Sequence, residues 1–386
     1  MERAQNINPQ RIEWSCEEFG ITPKLLSIQL KISWGNFEKT MRGEDGITIK
    51  QLRKVADYFN RGLLFYFEES PVNEETIYTP QFRTLTGQKP LLSPDIKILI
   101  ERVEKQREIY IELLDDLGEG DNYDWEKFKL PSHTQQNIKK SAALVRRWLE
   151  LEERETFDSY RLKVENKGVF VFVTNGYKGK WQIAKDDNMR GFSLYYPTFP
   201  IIAIKKQDSL RPQVFTLMHE LGHLLLHRNG FIDDENDLYN YQGVEKAANE
   251  FAGNILVPDE FLKIINLIEF PYGDVQEYDE NLKDFVNQWS VSTEVILIRM
   301  LKEEMIQQAH YDGYKSWRKS IIPRTTSGGS RKYRHREPIK MFGANFVSTV
   351  LNAYHEKRIT LAKASNYLDN LKIADIHQLE KMNGFI

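Results

Sequence analysis

Residues 219–223, His-Glu-Leu-Gly-His, constrain this chain more tightly than any other stretch. Four residues of helix bring one histidine nearly above the other, so both imidazoles project from one face and converge on a single point. Two imidazoles at that spacing hold a metal ion, and the glutamate between them reaches a water beside it. The surroundings support a helix. Val214, Met218, Leu221 and Leu225 form an apolar stripe at the 3.6-residue period, with His219, Glu220, His223 and His227 on the other side. Leu224, Leu225 and Leu226 carry apolar surface beyond that stripe, which predicts a largely buried helix rather than a solvated polar face. Asp208 or Ser209 can cap it, and Pro212 sits near its first turn, where a missing N–H costs nothing.

Ahead of this helix the chain reads as sheet. Gly168–Val173, Gly191–Tyr196 and Ile201–Lys205 are short runs of β-branched and aromatic residues between Gly, Pro and Asn turn signals. Behind it, Glu245–Pro258 is again helical in pattern, with Ala248, Phe251, Ala252 and Ile255 as its buried stripe. A catalytic zinc needs a third protein ligand and an open position. Glu245 lies at the edge of the buried stripe whereas Glu250 points nearly opposite, so the face argument selects Glu245. His227 is the other candidate, but two helical turns place it about 12 Å from His219, too far to share one ion easily. Asn249, one turn after Glu245, fits either a hydrogen bond to a metal ligand or an ordinary polar helix position. An oxyanion donor is also expected; Tyr239, Tyr241 or a C-terminal histidine fit, and no spacing singles one out.

Three blocks in this order, Arg190–Leu194, Phe215–His227 and Glu245–Pro258, resemble the ImmA/IrrE family of zinc metallopeptidases, in the version fused to an XRE-type helix-turn-helix. The resemblance implies one catalytic zinc held by His219, His223 and Glu245, with Glu220 as general base. It also implies a regulatory protein as substrate, since characterised relatives cleave XRE-type repressors. A toxin partner is a second kind of protein it is compatible with.

The remaining chain is read in the same way. Thr22–Leu30 and Ser33–Met41 give two short helices around a turn, and Thr48 caps a helix over Ile49–Tyr58 with Leu52, Val55, Ala56 and Phe59 inward. This order resembles the XRE helix-turn-helix, whose second helix enters the DNA major groove. Residues 1–70 nevertheless hold ten Lys plus Arg and ten Asp plus Glu, without the basic footprint of a DNA reader. DNA binding through residues 9–68 and recognition of a protein both stay open. A long helix from Pro94 to Leu117 ends at Gly118 and reads as a connector. Residues 284–300 form a helical pair that closes the cleft or, less simply, a second helix-turn-helix. Between Tyr311 and Lys340 nine Lys or Arg face two acidic residues, a solvated loop or a contact for nucleic acid or an acidic partner. A helical tail follows over Phe342–Leu371, with Thr360 as a cap.

The expectation is an α+β protein in four parts: a helix-turn-helix domain (1–70), a helical connector (71–135), a zincin-like peptidase core with a small, mostly antiparallel sheet (136–308), and a basic loop with a helical appendage (309–386). The single cysteine, Cys16, excludes an internal disulfide, and neither a secretory signal nor an 18-residue apolar run is present, so a cytoplasmic protein is expected. The rival class is a transcriptional regulator or antitoxin that keeps the metal fold as structure. Glu220 argues for the enzyme, because a structural zinc has no use for it.

Overall fold

The computed structural model describes residues 3–73, 78–79, 81–82, 92–120, 123–131, 137–175, 181–184, 187–207, 209–234, 243–321, 331–382 and 384. Asp208, Tyr239, Tyr241, most of the extended stretch 71–94 and the Gly/Ser run of the basic segment lie outside the described residues. The chain divides into two compact units, Met1–Arg102 and Val103–Ile386.

The first unit is helical: α1 (Pro9–Glu18), α2 (Pro23–Gln29), α3 (Trp34–Met41) and α4 (Ile49–Tyr58). Their starts are written in the sequence. Asn8, Thr22 and Thr48 each accept a hydrogen bond from the first turn, and Gln51 completes a capping box with Thr48. Ile12, Cys16, Leu26, Phe37, Leu52, Val55 and Phe59 are buried together as its core. Ile98, from the opening of α5 (Pro94–Leu117), belongs to the same cluster, and Glu101 on that helix pairs with Arg61 at 2.8 Å.

The second unit contains α6 (Ile138–Trp148), α7 (Phe157–Asn166), β1 (Phe170–Val173), β2 (Met189–Leu194), β3 (Ile201–Ile204), α8 (Leu210–Gly222), β4 (Phe231–Asp234) and α9 (Gly243–Leu256). The sheet runs in the order β1-β3-β2-β4 and is mixed: β1 is parallel to β3, whereas β2 is antiparallel to both β3 and β4. β1 and β3 are buried throughout because both faces are covered, which is why they read as unbroken apolar runs. Val171, Val173, Ile202 and Ile204 join the core with Val214, Leu217 and Leu221 of α8 and Val164 of α7. The other face is packed with rings, Phe170 against Phe346 and Phe172 against Phe342.

Beyond α9 come the short helices α10 (Asp259–Leu262), α11 (Tyr278–Asn281) and α12 (Lys283–Gln288), then α13 (Thr293–Lys302) and α14 (Gln308–Ser320). The tail is α15 (Glu337–Phe342), α16 (Ala344–His355), α17 (Leu361–Tyr367), capped by Thr360, and α18 (Ile373–Met382). Arg161 of α7 ties this tail to the sheet by donating to the carbonyls of Lys340, Met341 and Val171. Gly343 is required at that junction. Its φ is +90°, and a side chain there would run into the Glu165 carboxylate, itself paired with Arg161 at 2.7 Å.

Among the described residues no helix is long and apolar enough to cross a membrane.

Candidate metal centre

α8 carries His219, His223 opens the π-helical turn that continues it, and the helix is more deeply buried than a one-stripe helix would be. Ser209 is its N-cap by position, without a side-chain bond to the first turn. Thr216, His219, Glu220 and Gly222 are buried along with the apolar stripe, because the sheet, α7 and α9 enclose the helix. The face opposite the stripe is therefore interior as well. Gly222 permits the approach of α9: a methyl there would stand 2.9 Å from the Phe251 ring.

That approach brings three side chains to one point. His219 Nε2 and His223 Nε2 are 3.0 Å apart, and Glu245 Oε2 lies 3.4 Å from the first and 3.5 Å from the second. Both histidines are fully buried, and the Glu245 side chain is 13% exposed. A tetrahedral zinc with bonds of about 2.0–2.2 Å needs ligand atoms about 3.3–3.6 Å apart, so the triangle fits the ion, slightly tight along its His–His edge. Converging two imidazole nitrogens and a carboxylate oxygen at a buried point also calls for a cation or a shared proton between them. Among the described residues these three side chains form the only such cluster of His, Cys, Asp or Glu. Glu220 stands outside it, with its Oε1 against the backbone of Gly191 on β2, where an added Cβ would come within 2.8 Å.

The turn after α8 is π-helical, His223–His227, and ends at Arg228 in the left-handed region with φ +51°. Wide turns of this kind shift a side chain relative to the α-helical register. Here the shift brings His227 Nδ1 to 3.2 Å from His223 Nδ1. His227 thus lies behind a metal-facing histidine, on its far nitrogen, and outside the cluster that could hold the ion. Burial, and next to it the His223 ring, pulls the His227 imidazole down to about 4, so it is neutral near pH 7 and one of its nitrogens can accept. Phe231 of β4 stacks on His223 with ring centroids 4.2 Å apart.

Sequence reasoning chose His219, His223 and Glu245 as one cluster, and the fold brings these three together. Glu250 faces outward and pairs with Lys302 at 3.1 Å. Sequence reasoning missed the roles of Gly191, His227 and Phe231. Gly191 had a signal, an isolated glycine inside a strand pattern, which marks a close backbone approach. The tyrosines proposed as oxyanion donors are outside the described residues, and of the C-terminal histidines His355 and His377 both pair with the buried Glu380.

Residues 165–301 match the peptidase family described as the IrrE N-terminal-like domain. No curated protein matches the chain. The matched segment contains β1–β4, α8, α9 and all but the last residue of α13, and with them every residue of the triangle. The chain therefore carries, over residues 165–301, an IrrE N-terminal-like metallopeptidase domain with a His219, His223 and Glu245 metal-binding triad.

Proposed function

We propose that this protein is a zinc-dependent endopeptidase that cleaves a regulatory protein, with His219, His223 and Glu245 as ligands and Glu220 as general base. The observation that carries the reading is the three-atom triangle with no fourth His, Cys, Asp or Glu donor in its cluster among the described residues. Three protein ligands are the mark of a catalytic zinc site, four that of a structural one. A zinc ion there supplies Lewis acidity toward water and toward a peptide carbonyl. Glu220 removes a proton from the attacking water and returns it to the amine nitrogen as the carbon–nitrogen bond breaks. His227 and Phe231 hold the His223 ring in plane, so that its Nε2 keeps its aim.

A peptidase family implies a protein substrate. An XRE-type repressor in a phage, mobile-element or stress-response circuit is the substrate we favour, on the resemblance of the three motif blocks. A toxin partner is the alternative. For the first unit, two short helices joined at Lys31 (φ +55°) support a helix-turn-helix arrangement, and the balanced charge of residues 1–70 leaves DNA and protein as its target equally.

The test compares the wild type with Glu220→Gln and Glu245→Ala. Glu220→Gln is expected to keep stoichiometric zinc and lose cleavage by about 10²–10⁴-fold. Glu245→Ala is expected to lose zinc. Undiminished cleavage or derepression by Glu220→Gln would sink the enzyme reading in favour of a regulator or antitoxin with a structural metal. Full zinc content in Glu245→Ala would reassign the third ligand.

A further inference from the structure

One turn beyond the triangle, the two ligand-bearing helices continue toward α13. Phe215 lies four residues before His219 and stacks on its ring, with centroids 6.2 Å apart. Asn249 lies four residues after Glu245, on the same face of α9. Between these two and α13 is a partly open slot of about 50 Å³, lined by Phe215, Asn249, Gly253, Val295 and Ile298 among others. Of the charged groups that line it, Glu250, Arg299 and Lys302 are held by partners, and Lys246 is exposed to solvent. Lys302 pairs with Glu250 at 3.1 Å, and Arg299 donates to the Val257 carbonyl, Asp259 and Glu303. Most of the surface that the slot presents is nevertheless carbon.

We propose that this slot receives an aliphatic side chain of the cleaved protein, from a residue within two positions of the scissile bond. The proposal rests on the peptidase reading above and adds one specificity element to it. Distance sets the position. One helical turn is about 5.4 Å, and an extended peptide advances about 3.3 Å per residue, so a chain held at the triangle reaches the slot within two residues. Size sets the side chain. A water-sized sphere takes about 10–15 Å³, so the slot admits roughly three or four non-hydrogen atoms, the complement of a valine or leucine side chain. An aromatic ring exceeds it, and a charged side chain would give up water against a lining that is mostly carbon. α13 is thus a specificity wall about one helical turn from the triangle.

The full-length protein, supplied with zinc, is incubated with a randomised peptide library, and the cut bonds are read by mass spectrometry beside a Glu220→Gln control. One position within two residues of the cut should favour Val, Leu or Ile over Asp, Lys and Trp by at least about tenfold. Ile298→Ala and Val295→Ala should each move that preference toward Met and Phe. Cleavage without an aliphatic preference at any such position overturns the proposal and leaves the peptidase reading standing. A preference that both variants leave unchanged does the same. No cleavage by the wild type overturns both.

Discussion

Gly191 leaves the space against which the Glu220 carboxylate lies. A methyl at that position would come 2.8 Å from Glu220 Oε1, 2.8 Å from Thr216 Cγ2 and 2.9 Å from the Ala203 carbonyl oxygen. The carbonyl belongs to a paired strand and Thr216 is short and held close to its helix, so the longer Glu220 side chain, with more rotatable bonds, has to move. Gly191→Ala is therefore expected to retain zinc and to lower kcat/KM by about 10²-fold, because a base displaced by about 1 Å loses that much. Unchanged kcat/KM at full zinc content would show that Glu220 has room to turn. The ring behind His223 makes a second expectation. His227→Ala should weaken zinc binding by about 10–100-fold in a competition titration with a chelating dye, and unaltered affinity would mean that the ring contact does not orient the ligand. The histidines and Glu245 were legible because a helical face is a local property of sequence. The partners of Gly191 and His227 were not, because one comes from another element and the other from a π-turn that no residue pattern announces.

Among the elements, α7 shows which of two opposing forces wins at a buried charge. Glu165 is fully enclosed, and burial pushes its carboxyl up to about 7 in spite of the Arg161 guanidinium beside it. A folded pKa above the unfolded one means that the folded state holds its proton longer. Stability from this group is complete below the unfolded value of about 4.5 and is lost as pH rises through about 7. The difference exceeds two pH units, on the order of 3 kcal/mol at most. Glu165→Gln should therefore gain stability relative to the wild type between pH 5 and pH 8 in denaturant titrations. A stability difference independent of pH, or of the opposite slope, would show that Arg161 outweighs burial. Elements with strong local signals were legible. α5 runs over Pro94–Leu117 and stops at Gly118 (φ +71°), and Thr48 and Thr360 cap the helices that follow them. β4 was not legible, since four residues ending in two aspartates form a strand only through their ladder with β2.

For the whole molecule, the first unit has a core of its own and the metal triangle sits in the second, where α8 packs on α9. An ion that binds only the folded triangle stabilises the elements that form it, by about 4 kcal/mol at a thousand times its dissociation constant. Removing zinc with a chelator should speed amide exchange in α8 and α9 and leave α1–α4 unchanged. Equal acceleration in both, or in neither, would contradict a metal site confined to the second unit. Periodicity was enough to assign His219, Glu220 and His223 to one helix and Glu245 to the inner edge of another, since helical geometry repeats every few residues whatever surrounds it. It could not give the 3.4 and 3.5 Å separations across 26 and 22 residues of chain, the close approach of Glu220 to β2, or the slot beside Phe215. Those came from Gly222 letting α9 close on α8, and from the sheet and α13 enclosing the pair. Contacts between elements distant in sequence follow from how their surfaces fit, and no local pattern encodes that.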